Sequence, residues 1–109
     1  RGSSFGYGDL VVDMRSLEIL KDFGYPVIFD CTHSVQKPPS TTGKTGGDSR
    51  FASVLAKSAT AVGVSGMFFE VAKMPKLAKS DAANSLDLKQ AENLVKNLAK
   101  LDKLVKNLK

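Results

Sequence analysis

Apolar residues recur at helical spacing in three parts of the chain. The three sets are Leu17, Leu20 and Phe23; Phe51, Val54, Leu55 and Ala59; and Leu94, Leu98, Leu101, Val105 and Leu108. Apolar positions three or four residues apart form one face of an α-helix. The pattern therefore predicts helices over about 14–23, 49–62 and 88–108, each with one apolar face directed toward a core.

Two runs of apolar residues have the composition of buried strands instead. The segments 25–32 and 67–71 are rich in β-branched and aromatic side chains, and the first stops at His33 while the second has Glu70 near its end. Strands that alternate with helices indicate an α/β fold with a parallel sheet. Because a parallel sheet is covered on both faces, two strands alone are expected to be part of a larger sheet.

The third predicted helix has a clear start and a plain composition. Asp87 can cap it, and Gln90 stands three residues further on, as in a capping box. The segment LVKNL occurs at 94–98 and again at 104–108, which is typical of an idealised or low-complexity helix. Its apolar stripe suits packing on the chain's own sheet, with a coiled-coil or partner-binding face as the alternative.

Composition and charge narrow the class of protein. The chain has 109 residues, of which 42% are hydrophobic, enough for one small core. The net charge of +5 is concentrated in the lysine-rich last helix, so we interpret it as a solvated face and expect no nucleic-acid partner. No segment suits a signal peptide or membrane span, and the single cysteine, Cys31, excludes an internal disulfide, so we expect a cytoplasmic protein.

The stretch KPPSTTGKTGG, residues 37–47, raises the possibility of a phosphate-binding loop. Gly43-Lys44-Thr45 matches the end of the nucleotide-binding pattern G-x-x-x-x-G-K-[ST], but Pro38 stands where the first glycine belongs. Backbone amides and hydroxyl groups in such a glycine-rich loop can still bind a phosphate. A nucleotide-binding module is therefore the less favoured interpretation of this loop.

Three side chains are candidates for a metal site. His33 and Glu70 follow the two predicted strands, and Asp81 lies in the loop after the second. The carboxyl ends of parallel strands meet at one edge, and imidazole with carboxylates suits Zn, Fe or Mn. The alternative is that all three are structural residues that satisfy loop and helix ends. Cys31 is interpreted as a packing residue rather than a further ligand.

Several motifs resemble the 3-deoxy-D-manno-octulosonate 8-phosphate synthase family. They are the opening RGSSFGYGDLVVDMRSLEIL, the segment FDCTHSVQ at 29–36, FFEV at 68–71 and KSDAANSL at 79–86. The resemblance implies the C-terminal portion of a (β/α)8 barrel, with residues 1–109 running from the end of the sixth strand to the last helix. Strands one to five of that barrel are then absent from this sequence.

The resemblance also implies an activity and its site. Members condense phosphoenolpyruvate with arabinose 5-phosphate and water for lipopolysaccharide synthesis, and they assemble as tetramers. By motif, Arg1, Gln36 and Thr45 are expected to bind substrate, and His33 and Asp81 to act in catalysis. The loop at 37–47 is then expected to close over the aldose phosphate.

Metal binding is the second implication of this resemblance. In metal-dependent members a cysteine from the first strand joins three ligands that correspond to His33, Glu70 and Asp81. Whether this protein depends on Zn, Fe or Mn is left open, because the cysteine position lies outside the sequence. The alternative function is a non-catalytic fragment that only pairs with other barrel pieces, and exposed strand edges are expected to make the chain self-associate.

Overall fold

The computed structural model describes residues 3–4, 9–39, 46–77 and 82–108. Its helices are α1 (Arg15–Lys21), α2 (Ala52–Val62) and α3 (Leu88–Lys106). Its strands are β1 (Ser3–Ser4), β2 (Leu10–Val11), β3 (Ile28–Asp30), β4 (Gln36–Lys37), β5 (Gly46–Gly47) and β6 (Gly66–Phe68). Short 3-10 turns occupy His33–Val35, Ser49–Phe51 and Pro75–Leu77. The predicted order of three helices and two main strands is confirmed, with shorter strands than the apolar runs.

The centre of the fold is a parallel pair of strands. Strand β3 pairs with β6, with Phe29 opposite Met67 and Asp30 opposite Phe68, and α2 connects the two strands along the chain. Among the described residues this parallel sheet has two strands and does not close into a barrel. The α/β class is confirmed at that level, while the partial barrel over residues 1–109 stays a prediction.

Helix α2 lies at the centre of the packing, since it contacts both strands of the pair, α1 and α3. Its buried side chains are small, namely Ala52, Ala56, Ala59 and Thr60. Small residues allow the neighbouring backbones to approach closely. The helix ends at Gly63, which takes φ of 90°, a left-handed conformation that suits glycine.

The prediction of which residues this helix buries is partly wrong. Ala59 is buried, but Phe51 and Val54 are more than half exposed. Both line a groove of about 260 Å³ instead, formed by residues 9–12, 34–37, 48, 51, 54 and 55. Helical spacing identified an apolar stripe, whereas close packing against strands and α3 selected the neighbouring alanine stripe for the core.

The start of α3 agrees with the sequence. The Asp87 carboxylate accepts a hydrogen bond from the Gln90 backbone N–H at 2.7 Å, and the Gln90 side chain accepts one from the Asp87 N–H at 2.9 Å. These bonds satisfy backbone donors that a helix start leaves without helical partners. The predicted capping box is confirmed.

Two antiparallel pairs were not predicted. Strand β1 pairs with β2, and β4 pairs with β5, each over two residues. Runs this short carry no readable alternation of apolar and polar residues, and β5 consists of two glycines.

The helices in the described part of the chain do not include one with the length and apolar character of a membrane span.

Candidate functional site

The candidate site lies where β3 ends, and Asp30 organises it. One carboxylate oxygen of Asp30 accepts hydrogen bonds from the His33 backbone N–H at 3.0 Å and from the Thr32 hydroxyl at 3.2 Å. The Ser34 hydroxyl donates to the Asp30 backbone carbonyl. An aspartate that bonds to the backbone a few residues ahead stabilises a turn. Asp30 thereby directs the chain from the strand into the turn His33–Val35.

The second carboxylate oxygen of Asp30 holds the His33 ring. His33 Nδ1 lies 2.7 Å from Asp30 Oδ2, and the ring centroid of His33 is 6.0 Å from that of Phe68. A carboxylate on one ring nitrogen sets which tautomer the imidazole adopts and where its other nitrogen points. His33 is therefore a fixed side chain, oriented by its own strand and by the neighbouring strand β6.

The other ring nitrogen of His33 faces the second strand. His33 Nε2 lies 3.3 Å from Glu70 Oε2, and both side chains are mostly shielded from solvent. Asp30, His33 and Glu70 thus form a line of carboxylate, imidazole and carboxylate across the edge of the sheet. The expectation that His33 and Glu70 meet at one edge is confirmed.

Thr32 links the two strand ends more tightly than the sequence suggested. Its side-chain oxygen accepts a hydrogen bond from the Glu70 backbone N–H at 2.9 Å while its hydroxyl donates to Asp30. Thr32 is fully buried. Sequence reasoning missed both Asp30 and Thr32, although an aspartate three residues before a candidate histidine is a signal that could have identified Asp30.

Cys31 lies between these residues in sequence but does not take part in the site. The side chain is fully buried and belongs to the hydrophobic core. Burial, with a smaller contribution from the nearby Asp30 charge, raises the pKa of the Cys31 thiol from 9.0 to about 12. A thiol held protonated in this way is a packing residue, in agreement with the sequence interpretation.

The remaining candidate residues are placed only in part. Gln36 is buried and lines the groove described above, with Ser34 and Lys37 beside it. Arg1, Thr45 and Asp81 lie outside the described residues, so their predicted roles stay predictions.

The donor set at the sheet edge suits a divalent cation in chemistry, though not in number. His33 offers its Nε2 atom, and its other ring nitrogen, Nδ1, is hydrogen-bonded to the Asp30 carboxylate, as is common for histidines that bind metals. Glu70 offers a carboxylate oxygen. Within the described ranges, no group of three or more His, Cys, Asp or Glu side chains could hold a metal ion. Two of the three predicted ligands are therefore brought together.

The sequence is similar to known proteins of one family. The sequence model of the DAHP synthetase I family matches residues 1–107. The chain is 56% identical over 104 residues to a 2-dehydro-3-deoxyphosphooctonate aldolase of Helicobacter pylori (strain Shi470), a match that covers 95% of this chain and 37% of the relative. An equally named protein of Dichelobacter nodosus is 52% identical over 106 residues, covering 97% of this chain and 38% of the relative.

A third relative gives the same result. The 2-dehydro-3-deoxyphosphooctonate aldolase of Campylobacter jejuni subsp. jejuni is 50% identical over 109 residues, which is 100% of this chain and 40% of the relative. The resemblance inferred from the motifs is thereby confirmed. The chain spans well under half the length of these curated relatives.

Proposed function

The chain belongs to the DAHP synthetase I family, and from this premise we propose that it supplies part of an active site for 3-deoxy-D-manno-octulosonate 8-phosphate synthesis. The reaction joins phosphoenolpyruvate to arabinose 5-phosphate, with water consumed and phosphate released. The carbon–carbon bond forms between the enol carbon and the aldehyde, water adds to the neighbouring carbon, and the phosphate ester is cleaved. The product serves lipopolysaccharide synthesis.

One observation carries this proposal. His33 and Glu70 follow different strands, yet Nε2 and Oε2 lie 3.3 Å apart at the carboxyl edge of the parallel pair. In parallel α/β folds, reacting groups collect at this edge because the loops that follow the strands converge there. When no metal is bound, a histidine oriented by Asp30 and facing a second carboxylate can hold or pass a proton at Nε2 beside a bound substrate; with a metal bound, the same nitrogen serves as the ligand instead.

The same two side chains are proposed as metal ligands, together with Asp81. His33 and Glu70 fit Zn, Fe or Mn by donor chemistry, and Asp30 would orient the imidazole from behind. A divalent cation held there would supply Lewis-acid polarisation of a substrate oxygen or of water. Asp81 is the proposed third ligand and, together with His33, a proposed catalytic residue.

Substrate binding is assigned to residues outside this pair. We propose that Arg1 grips the anionic groups of phosphoenolpyruvate, that Gln36 lines the same pocket, and that Thr45 contacts the sugar phosphate. A guanidinium suits a two-point grip on phosphate or carboxylate. Assembly into a homo-oligomer also stays a prediction, which a mass measurement by light scattering can check. Location in the cytoplasm stays a prediction as well.

A chimaeric enzyme provides the test. The matching 104 residues of the Helicobacter pylori relative are replaced by those of this chain, and phosphate release is measured with both substrates and with each alone. We expect release that requires both substrates, and a loss of about a hundredfold or more for the His33→Ala variant. The exposed Asn97→Ala variant on α3 is the matched control and should keep full activity.

Metal retention supplies a second readout that does not depend on turnover. The chimaera is dialysed against Zn or Mn and then against buffer, and the bound metal is measured by mass spectrometry with and without His33→Ala. Metal lost with His33 supports the ligand assignment. A folded chimaera that releases no phosphate contradicts the proposed function and favours the non-catalytic fragment.

A further inference from the structure

Asn84 occupies an unusual position for a polar side chain. It is 1% exposed, and its Oδ1 atom has no hydrogen-bond partner in the described part of the chain. Buried polar groups are nearly always hydrogen-bonded, because an unpaired one loses its water without compensation. A residue kept here for packing alone would be expected to be apolar, so the amide calls for a specific explanation.

The Asn84 side chain fills the place where a side chain of Gly47 would stand. A Cβ atom built on Gly47 would lie 1.5 Å from Asn84 Oδ1 and 2.6 Å from Asn84 Cγ. The neighbouring Gly46 differs, since a Cβ atom there would meet only Lys37 Cβ at 3.7 Å, an ordinary contact. Of the two glycines in β5, therefore, Gly47 is required to be small by Asn84.

Gly47 belongs to the short antiparallel ladder formed by β4 and β5. It pairs with Gln36, Gly46 pairs with Lys37, and the Asp48 N–H donates to the Val35 carbonyl at 3.1 Å. The ladder thus begins directly after the turn that carries His33. Because β4 is paired with β5, a contact that fixes Gly47 also fixes the position of β4 next to the His33 turn.

The segment that contains Asn84 is bonded to the chain around Glu70. Two residues further on, the Leu86 N–H donates to the Glu70 carbonyl at 3.0 Å, and the Leu86 carbonyl accepts from the Ala72 N–H at 2.9 Å. Asn84 therefore connects the chain that follows His33 to the chain that follows Glu70, at a point where both are otherwise held by backbone hydrogen bonds.

We propose that Asn84 is a positioning residue that holds the β4–β5 ladder in register against the Glu70 side of the site. It acts by contact with the Gly47 backbone and does not itself touch the reacting atoms. The effect on catalysis rests on the proposed function: with the ladder free to shift, Gln36 and Thr45 should hold their substrates less well.

Hydrogen exchange on the chain itself tests the contact. The reporter is the Asp48 amide in the ladder, measured relative to the Cys31 amide, which donates to the Phe68 carbonyl in the central sheet. We expect Asn84→Ala and Gly47→Ala each to speed Asp48 exchange about tenfold relative to Cys31, because each opens the ladder locally. Gly46→Ala is the matched control and should leave the ratio unchanged.

A double variant separates this contact from general destabilisation. Asn84→Ala removes the two atoms nearest to a Cβ atom at position 47, so Gly47→Ala combined with Asn84→Ala should exchange more slowly than Gly47→Ala alone. The Val35 carbonyl, 3.2 Å from the same point, keeps the recovery partial. Equal effects of alanine at 46 and 47, or fully additive effects in the double variant, overturn the proposal.

Kinetics in the active chimaera test the positioning role. Asn84→Ala should raise KM for phosphoenolpyruvate and for arabinose 5-phosphate by about tenfold while kcat changes less, since β4 contains Gln36, Thr45 directly precedes β5 in the sequence, and small misplacements of binding groups are costly. Unchanged KM for both substrates, or a loss of kcat alone, overturns the role in positioning. If the chimaera is inactive, the proposed function fails, and the exchange measurements still decide whether Asn84 holds the ladder.

Discussion

The two copies of LVKNL, one within α3 and one across its C-terminal end, have the same local sequence and different surroundings. In the first copy, Leu94 is 4% and Leu98 is 8% exposed. In the second, the corresponding Leu104 is 58% and Leu108 is 72% exposed. The leucines of identical pentapeptides are thus buried in one copy and exposed in the other. Local sequence decides that both are helical or at a helix end, and it does not decide which is buried.

Helix geometry explains much of the difference. Ten residues turn an α-helix through about 1000°, so equivalent positions of the two copies point in directions about 80° apart. Val105 returns close to the direction of Leu94, since it is eleven residues away, and it is half-buried. Leu108 lies beyond the last helical residue, Lys106, and is exposed.

The largest expected effect contrasts Leu94 with Leu104. Leu94→Ala removes a buried side chain from the contact between α3 and the core and should lower the free energy of unfolding by about 2–5 kcal/mol. Leu104→Ala, on the exposed side, should change it by less than about 0.5 kcal/mol. Urea unfolding followed by circular dichroism measures both. Similar losses for the two variants would show that the second copy is also covered, for example in an oligomer.

A smaller effect is expected at the ends of the helix. Asp87→Ala removes the side-chain acceptor of the capping box and should cost about 0.5–2 kcal/mol. At the other end, the Asn107 side chain donates to the Lys103 carbonyl at 2.9 Å in an exposed position. Asn107→Ala should therefore cost less than Asp87→Ala in the same unfolding measurement. The reverse order would contradict the view that α3 is anchored through its first half.

Exposed ion pairs should not distinguish the two halves. Lys96 pairs with Glu92 at 2.6 Å, and Lys106 pairs with Asp102 at 2.8 Å, each four residues apart. Replacing either lysine with alanine should cost only about 0.3–0.5 kcal/mol, and less at high salt, because solvent screens both pairs. Unfolding at low and at high salt checks this. A large loss for Lys96→Ala alone would indicate that the pair contributes through burial.

The raised pKa of the buried Cys31 thiol should change the stability of the fold only at alkaline pH. The folded-state pKa of about 12 lies above the ordinary value of 9.0, so the folded state retains its proton more strongly than the unfolded state. The resulting contribution to stability is complete below pH 9 and is lost as the pH rises from 9 to 12. Alkylation of the native thiol at pH 8 should be slow and should become rapid in urea. Rapid alkylation of the folded chain would contradict the buried position.

The sequence was enough to predict which residues lie near each other at the site, but not the hydrogen bonds that hold them there. His33 and Glu70 were placed at one edge because parallel strands end together, and their approach to 3.3 Å agrees. The Asp30 and Thr32 hydrogen bonds were missed because aspartate and threonine near a strand end have many common structural uses. The contact of Asn84 with Gly47 joins residues far apart in the sequence, and no periodic pattern announces it.

By itself, the sequence determined the order of the three helices and the two main strands, the start of α3 and the family to which the chain belongs. These depend on spacing, capping residues and motifs, all of which are local in the chain. Tertiary structure decided which apolar stripe of α2 is buried, which copy of LVKNL reaches the core, and why Gly47 but not Gly46 has no room for a side chain. Burial and close contact depend on neighbours brought together from distant parts of the chain, and local pattern carries no information about their distance.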